Sequence, residues 1–261
     1  MHTGGIDWAG KRCVVLDMDG TIYLGNIPIQ GAIEGVLRNW KRFEFCFLSN
    51  NTSKSPETYV KKLNRMGIPA RLEQFLSPTT PLVDHLRATG VRTAYVVGNS
   101  DFLADLARRM PDLRVQEEGA ECVILAYDTE ITYHKISRSA LLLQKGLPFY
   151  ATHPDLVCPD PEGPLPDVGS FLDMYYTATG RRPDMIFGKP DPTVLAPLLA
   201  RYSPSELVMA GDRLSTDKKL AENAGMDFIL VLSGEATVED LAREALQPTV
   251  VVDHLGLELP A

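Results

Sequence analysis

Short apolar runs that stop abruptly at small or charged residues constrain the fold of this chain more than any other feature. The first, CVVL at 13–16, lies between a polar start and Asp17-Met18-Asp19-Gly20. An unbroken apolar run of this kind predicts a strand covered on both faces. Similar runs recur at 43–48, 93–97, 122–126, 148–152, 206–210, 227–232 and 249–252. Segments with helical spacing lie between them, such as Ile33, Val36, Leu37 and Trp40, or Tyr59, Val60, Leu63 and Met66. Ser55 and Pro56 before the second of these, and Gly67 after it, are start and stop signals for a helix. Further helices are predicted over 82–88, 101–108, 134–145 and 170–179. Strands alternating with helices predict an α/β fold built on a parallel sheet.

At 261 residues the chain is near the size at which one core divides into two. The proline-rich joint Leu76–Pro81 is the candidate boundary, and the stretch 153–169, crowded with Pro, Gly and acids, is predicted to be a long functional loop. A net charge of −8 without a basic stripe argues against nucleic acid as a partner. No apolar stretch approaches the roughly 18 residues of a membrane span, and MHTGGIDWAGKR lacks the apolar core of a signal peptide, so a cytoplasmic location is expected. Cys13, Cys46, Cys122 and Cys158 are widely spaced, which gives little support to a zinc site or a disulfide frame.

The chemistry sits where the runs end. Asp17 and Asp19 lie on one side of an extended chain, and two carboxylates that close repel unless a cation is present. A simple turn is the alternative; an EF-hand is not, because Gly20 comes fourth rather than sixth. The second run ends in Ser49-Asn50-Asn51-Thr52-Ser53, hydroxyls and amides suited either to capping a helix or to holding an anion. Lys189 stands between a short strand and Pro190, and Gly211-Asp212 to Asp217 adds a second acidic pair behind a glycine that allows close backbone approach. Four strand ends are thus expected along one edge of a parallel sheet. Together they supply what phosphoryl transfer through an aspartyl-phosphate needs: a carboxylate nucleophile, oxygen ligands for Mg2+, donors for the phosphoryl oxygens, and in Asp19 a general acid and base.

DMDGT, SNNTS, GKP and GDRLSTD, in this order, resemble the four motifs of the haloacid dehalogenase superfamily. The insertion, with THPD and CPDPEGPLPDVG, resembles its subclass IIA, the NagD-like and p-nitrophenylphosphatase-like phosphatases. The resemblance implies a Rossmann-like doubly wound core over 1–79 and 185–261 with an inserted C2-type α/β cap over 80–184. It implies Asp17 as nucleophile and metal ligand, Asp19 as acid/base and carbonyl ligand, and Asp212 as the completing ligand, with Asp217 in support. Ser49, with Asn50 and Asn51, would bind the phosphoryl group, and Lys189 would balance charge. Cap residues such as Thr152, His153, Asp155, Asp160 and Asp167 would contact the substrate. The chain departs from the pattern after Asp217, where Lys218 and Lys219 replace the usual apolar residue.

The expected activity is magnesium-dependent hydrolysis of a small phosphomonoester, such as a sugar phosphate or a nucleotide. The alternatives are a phosphotransferase or mutase on the same scaffold, or a receiver-like module that binds phosphate without turnover. The acidic 155–167 loop disfavours a second anionic group on the substrate, and the resemblance implies a homodimer through the cap.

Overall fold

A computed structural model describes residues 5–160, 162–245 and 247–260; Pro161 of the expected loop lies outside them. In chain order the first stretch holds β1 (Cys13–Leu16), a hairpin of β2 (Tyr23–Leu24) and β3 (Ile27–Pro28), α1 (Gln30–Asn39), β4 (Glu44–Leu48), α2 (Pro56–Arg65) and β5 (Phe75–Leu76). The middle holds α3 (Thr79–Ala88), β6 (Thr93–Val97), α4 (Ser100–Arg109), β7 (Arg114–Val115), β8 (Cys122–Leu125), α5 (Tyr133–Gln144) and β9 (Phe149–Ala151). It continues with β10 (Val157–Cys158), β11 (Leu165–Pro166), α6 (Val168–Thr179) and β12 (Met185–Ile186). The last stretch holds α7 (Ala196–Leu199), β13 (Leu207–Gly211), α8 (Lys219–Ala224), β14 (Asp227–Val231), α9 (Val238–Leu241) and β15 (Val250–Val252).

The chain divides into two units, one taking residues 1–49, 56–76 and 189–261, the other residues 50–55 and 77–188. In the first, the described strands form a parallel sheet in the order β15-β14-β13-β1-β4-β5. The order runs outward in both directions from β1, which makes the carboxyl end of β1 the switch point where loops diverge and ligands can enter. Both faces of β1 are covered, so its apolar run has no polar alternation. Val14 and Leu16 pack with Ile33, Val36, Tyr59 and Leu63 on one side, while Cys13 and Val15 pack with Leu195, Leu198 and Leu220 on the other.

The second unit is also α/β, with a parallel sheet in the order β12-β9-β8-β6-β7. Ile124 faces Leu82, Leu86 and Phe102; Val123 and Leu125 face Leu143, Leu172 and Tyr175.

Three expectations need correction. The short strand before Lys189 pairs with β9 in the second sheet, so only β1, β4 and β13 share the first sheet's edge, and Lys189 opens the returning chain. The division falls after 76 and 188 rather than 79 and 185, and 50–55 belongs to the second unit. There the Ser53 carbonyl accepts from Asn99 Nδ2 at 2.8 Å and Thr52 Oγ1 accepts the Tyr127 amide at 3.1 Å. Finally, the 153–169 stretch is not structureless, because β10 and β11 pair as a small antiparallel ribbon within it.

Candidate active site

The register of the first sheet builds the site. Leu16 lies beside Phe47 on β4 and Ala210 on β13, and the Asp17 amide continues the ladder by donating to the Ala210 carbonyl at 2.9 Å. Asp17 therefore emerges between two strand ends, with Ser49 beyond one and Asp212 beyond the other. Lys189 Nζ reaches Asp17 Oδ1 at 2.5 Å and Asp217 Oδ1 at 2.6 Å. Oxygens of Asp17, Asp212 and Asp217 all lie within 4.8 Å of one another.

Such crowding needs backbone without side chains. A Cβ on Gly211 would stand 2.3 Å from Asp217 Oδ2, and one on Gly234 would stand 2.0 Å from Asp212 Oδ2. Glycine at these positions lets the carboxylates lie against the main chain. A wide π turn, Leu214–Lys218, brings Asp217 back over Gly211, where its Oδ2 also accepts the Arg213 amide at 3.1 Å. Lys218, in the slot where an apolar residue was expected, is buried with its ammonium paired to Glu222 and, at 2.7 Å, to Glu244.

The electrostatics suit a cation held among these carboxyl groups. Burial raises the Asp17 carboxyl pKa well above its usual value, and Asp217 and Asp212 add to the effect against the pull of Lys189. Asp212 is pushed up to about 7, by burial first and by Asp217 next. Burial opposes the Lys189 charge, yet Asp17 and Asp217 outweigh it and hold the ammonium above its ordinary pKa. Three carboxyl groups surround a single ammonium, so a full set of carboxylates would carry two negative charges more than Lys189 offsets. Asp212 Oδ2 accepts the Glu235 amide at 2.7 Å, whereas its Oδ1 is buried without a partner among the described residues. Hard oxygen donors, an excess of two charges and an orphaned oxygen fit a divalent cation such as Mg2+.

Asp19 is half-buried beside the β2–β3 hairpin, where its Oδ1 accepts the Gly25 amide at 3.4 Å. Ser49 closes β4 with its amide on the Leu76 carbonyl at 3.2 Å. Asn50 and Asn51 are in the second unit, where Asn50 donates to Asp155 at 3.3 Å and Asn51 to Cys158 Sγ at 3.5 Å. His153 departs from expectation: its ring is fully buried, with Nδ1 2.9 Å from Thr152 Oγ1 and Nε2 2.9 Å from Asp167 Oδ1. These contacts tie it to Thr152 and Asp167, and with Asp155 and Asp167 it forms a second group of side chains close enough together to share a cation. Asp167 is likewise internal, capping α6 by accepting the Val168 amide at 2.6 Å. Sequence reasoning missed the loop after β14. Ser233 Oγ donates to the Gly20 carbonyl at 2.6 Å, Gly234 clears space for Asp212 and Glu235 donates to it. The available signal was a Ser-Gly pair directly after the DFILVL run.

A parallel α/β sheet that gathers aspartates and a lysine at the carboxyl end of its central strand is a scaffold suited to phosphoryl transfer at a carboxylate. Comparison with known proteins agrees. Residues 14–109 match the family of haloacid dehalogenase-like hydrolases, and residues 186–257 match a HAD-hydrolase-like family. The acid sugar phosphatase of Staphylococcus aureus is 30% identical over 243 residues, covering 91% of this chain and 93% of that protein. A 4-nitrophenylphosphatase from Thermotoga maritima superimposes with a TM-score of 0.89 at 35% identity, over 97% of both chains. A thermostable NPPase double mutant from Geobacillus stearothermophilus gives 0.85 at 27% identity, over 95% of this chain and 97% of that one. The chain belongs to the haloacid dehalogenase superfamily, in its NagD-like and p-nitrophenylphosphatase-like branch.

Proposed function

We propose that the protein is a magnesium-dependent phosphatase of small phosphomonoesters working through a phospho-aspartate. The observation that carries this reading is the Asp17–Lys189–Asp217 contact beside Asp212, with its unbalanced negative charge. The names of its relatives, an acid sugar phosphatase and a 4-nitrophenylphosphatase, point to the same class of substrate.

In this reading an Asp17 oxygen attacks phosphorus while Asp19 gives its proton to the departing ester oxygen, which leaves an alcohol and a phosphorylated Asp17. Asp19, now a carboxylate, takes a proton from water as that water attacks the phosphorus. Inorganic phosphate departs, and Asp17 is restored. Ser49 donates to a phosphoryl oxygen, and Lys189 offsets the charge on Asp17 and the phosphoryl group. Asp17, the Asp19 carbonyl and Asp212 would hold Mg2+, which when bound supplies charge neutralisation and polarises a phosphoryl oxygen. Asp217 supports the site by fixing Lys189.

The test is turnover of p-nitrophenyl phosphate with magnesium and with a chelator, in the parent and in Asp17→Asn. The parent should release phosphate to water only when the metal is present. Asp17→Asn should fold normally and lose at least about a thousandfold in kcat, as expected when a nucleophile is removed. Equal turnover by the two proteins rules the reading out. Phosphate passed to an added alcohol or sugar instead of water would favour the phosphotransferase alternative.

A further inference from the structure

Lys62 was not among the residues marked by any motif, yet it joins α2 to the hairpin that follows Asp19. Its ammonium donates to the Gly25 carbonyl at 2.5 Å and stands 3.5 Å from the centroid of the Tyr23 ring. Tyr23 is almost fully buried, and its backbone returns to the nucleophile loop: its carbonyl accepts the Gly20 amide at 2.7 Å, and it bridges to Asp19. Gly25, at the hairpin turn with φ of +55°, sends its amide to the Asp19 carboxylate. One side chain thus holds both ends of a short ribbon whose turn touches Asp19. The base from which it reaches is firm, because Tyr59 and Leu63 bury the inner face of α2 and Tyr59 stacks on Phe75 at 5.3 Å.

A two-stranded ribbon of two residues per strand has little stability of its own. Its outward residues Leu24 and Ile27 are 47% and 73% exposed, so burial contributes little to fixing its tip. A charge-assisted hydrogen bond together with a cation–π contact is the kind of tie that can fix it.

We propose that Lys62 is a positioning residue for the reaction, holding the Tyr23–Pro28 hairpin so that Gly25 keeps the Asp19 carboxylate in one orientation. The inference rests on Asp19 as the acid and base, and it assigns Lys62 no contact with the substrate. Its consequence is selective. An ester with a good leaving group needs little help from a proton donor, whereas an alkyl phosphate needs much.

The experiment compares Lys62→Met, which keeps the stem and removes the charge, with Lys62→Arg and Asp19→Asn, on p-nitrophenyl phosphate and on glycerol 2-phosphate. Lys62→Met should lower kcat on the alkyl ester about tenfold, a fraction of the hundredfold or more that general acid catalysis commonly supplies. KM should stay within about twofold, the loss on p-nitrophenyl phosphate should be clearly smaller, and Lys62→Arg should recover most of the rate, since a guanidinium reaches the same carbonyl. A burst of p-nitrophenol followed by slower steady turnover should appear in Lys62→Met, because Asp19 also activates the water that discharges the phospho-enzyme. Equal losses on both esters, or a Lys62→Met kcat within twofold of the parent, overturn the proposal while Asp19→Asn still discriminates between the esters. An Asp19→Asn protein indifferent to the leaving group overturns it at its foundation, by removing the acid/base reading.

Discussion

Asp212 shows how a buried carboxylate can weigh against the fold unless something neutralises it. Its carboxylate is buried, half-satisfied and raised to about 7 by burial and by Asp217. A carboxyl whose folded pKa lies above its unfolded 3.8 binds its proton more tightly when folded. That contribution is complete below the unfolded value and is lost as pH rises through about 7. Without metal, the thermal midpoint of the first unit should therefore fall between about pH 5 and pH 8. Asp212→Asn should flatten that fall and melt higher than the metal-free parent, since it removes an uncompensated buried charge. Millimolar Mg2+ should raise the parent midpoint and leave the variant unmoved. Thermal melts across pH, with and without metal, check this, and a magnesium response retained by Asp212→Asn contradicts it. That Asp17, Asp212 and Asp217 would gather at one sheet edge was legible in the sequence, because each stands shortly after a buried strand. Gly234 and Lys62 were not legible: a glycine's clearance and a lysine's reach depend on which distant atoms stand opposite.

At the scale of the element, apolar periodicity located the longer strands and helices, since each has a face or a full perimeter to bury, but it missed the two-residue strands β2, β3, β5, β7, β10 and β11 and the short helices α8 and α9. It could not say which sheet a strand joins. Met185–Ile186 is too short to carry information about partners, and it pairs with β9. Nor could it show that His153 and Asp167 turn inward to close α6. Asp167 accepts the first helix amide and faces the His153 ring, so Asp167→Ala removes the cap and takes one hydrogen-bond partner from His153 Nε2. The loss of a cap and of a buried partner should together cost about 2–4 kcal/mol. Denaturant titration reads the total, and hydrogen exchange should show α6 exchanging faster while β1 and β13 are unchanged. A cost below about 0.5 kcal/mol would mean that the pair contributes nothing beyond a surface contact.

At the scale of the molecule, the chain forms two units with separate cores. Asp17, Asp19, Ser49, Lys189, Asp212 and Asp217 are all in the first, while the 155–167 ribbon and the segment 50–55 are in the second. Cores that do not share side chains can melt separately. Calorimetry should give a total enthalpy larger than the van't Hoff value, with magnesium moving only the transition of the first unit. A single transition with equal enthalpies would show one cooperative whole. The chain also has no helix, among its described residues, long and apolar enough to cross a membrane.

The sequence by itself determined the α/β class and the strand ends at which Asp17, Asp212 and Asp217 gather, because burial patterns and local turn chemistry are written in neighbouring residues. Tertiary structure alone decided that Lys189 bridges Asp17 and Asp217, that residues 50–55 join the second unit, and that Lys62 ties down the hairpin beside Asp19. Those contacts join residues far apart in the chain, and their geometry exists only once the sheet has set its strand order and register.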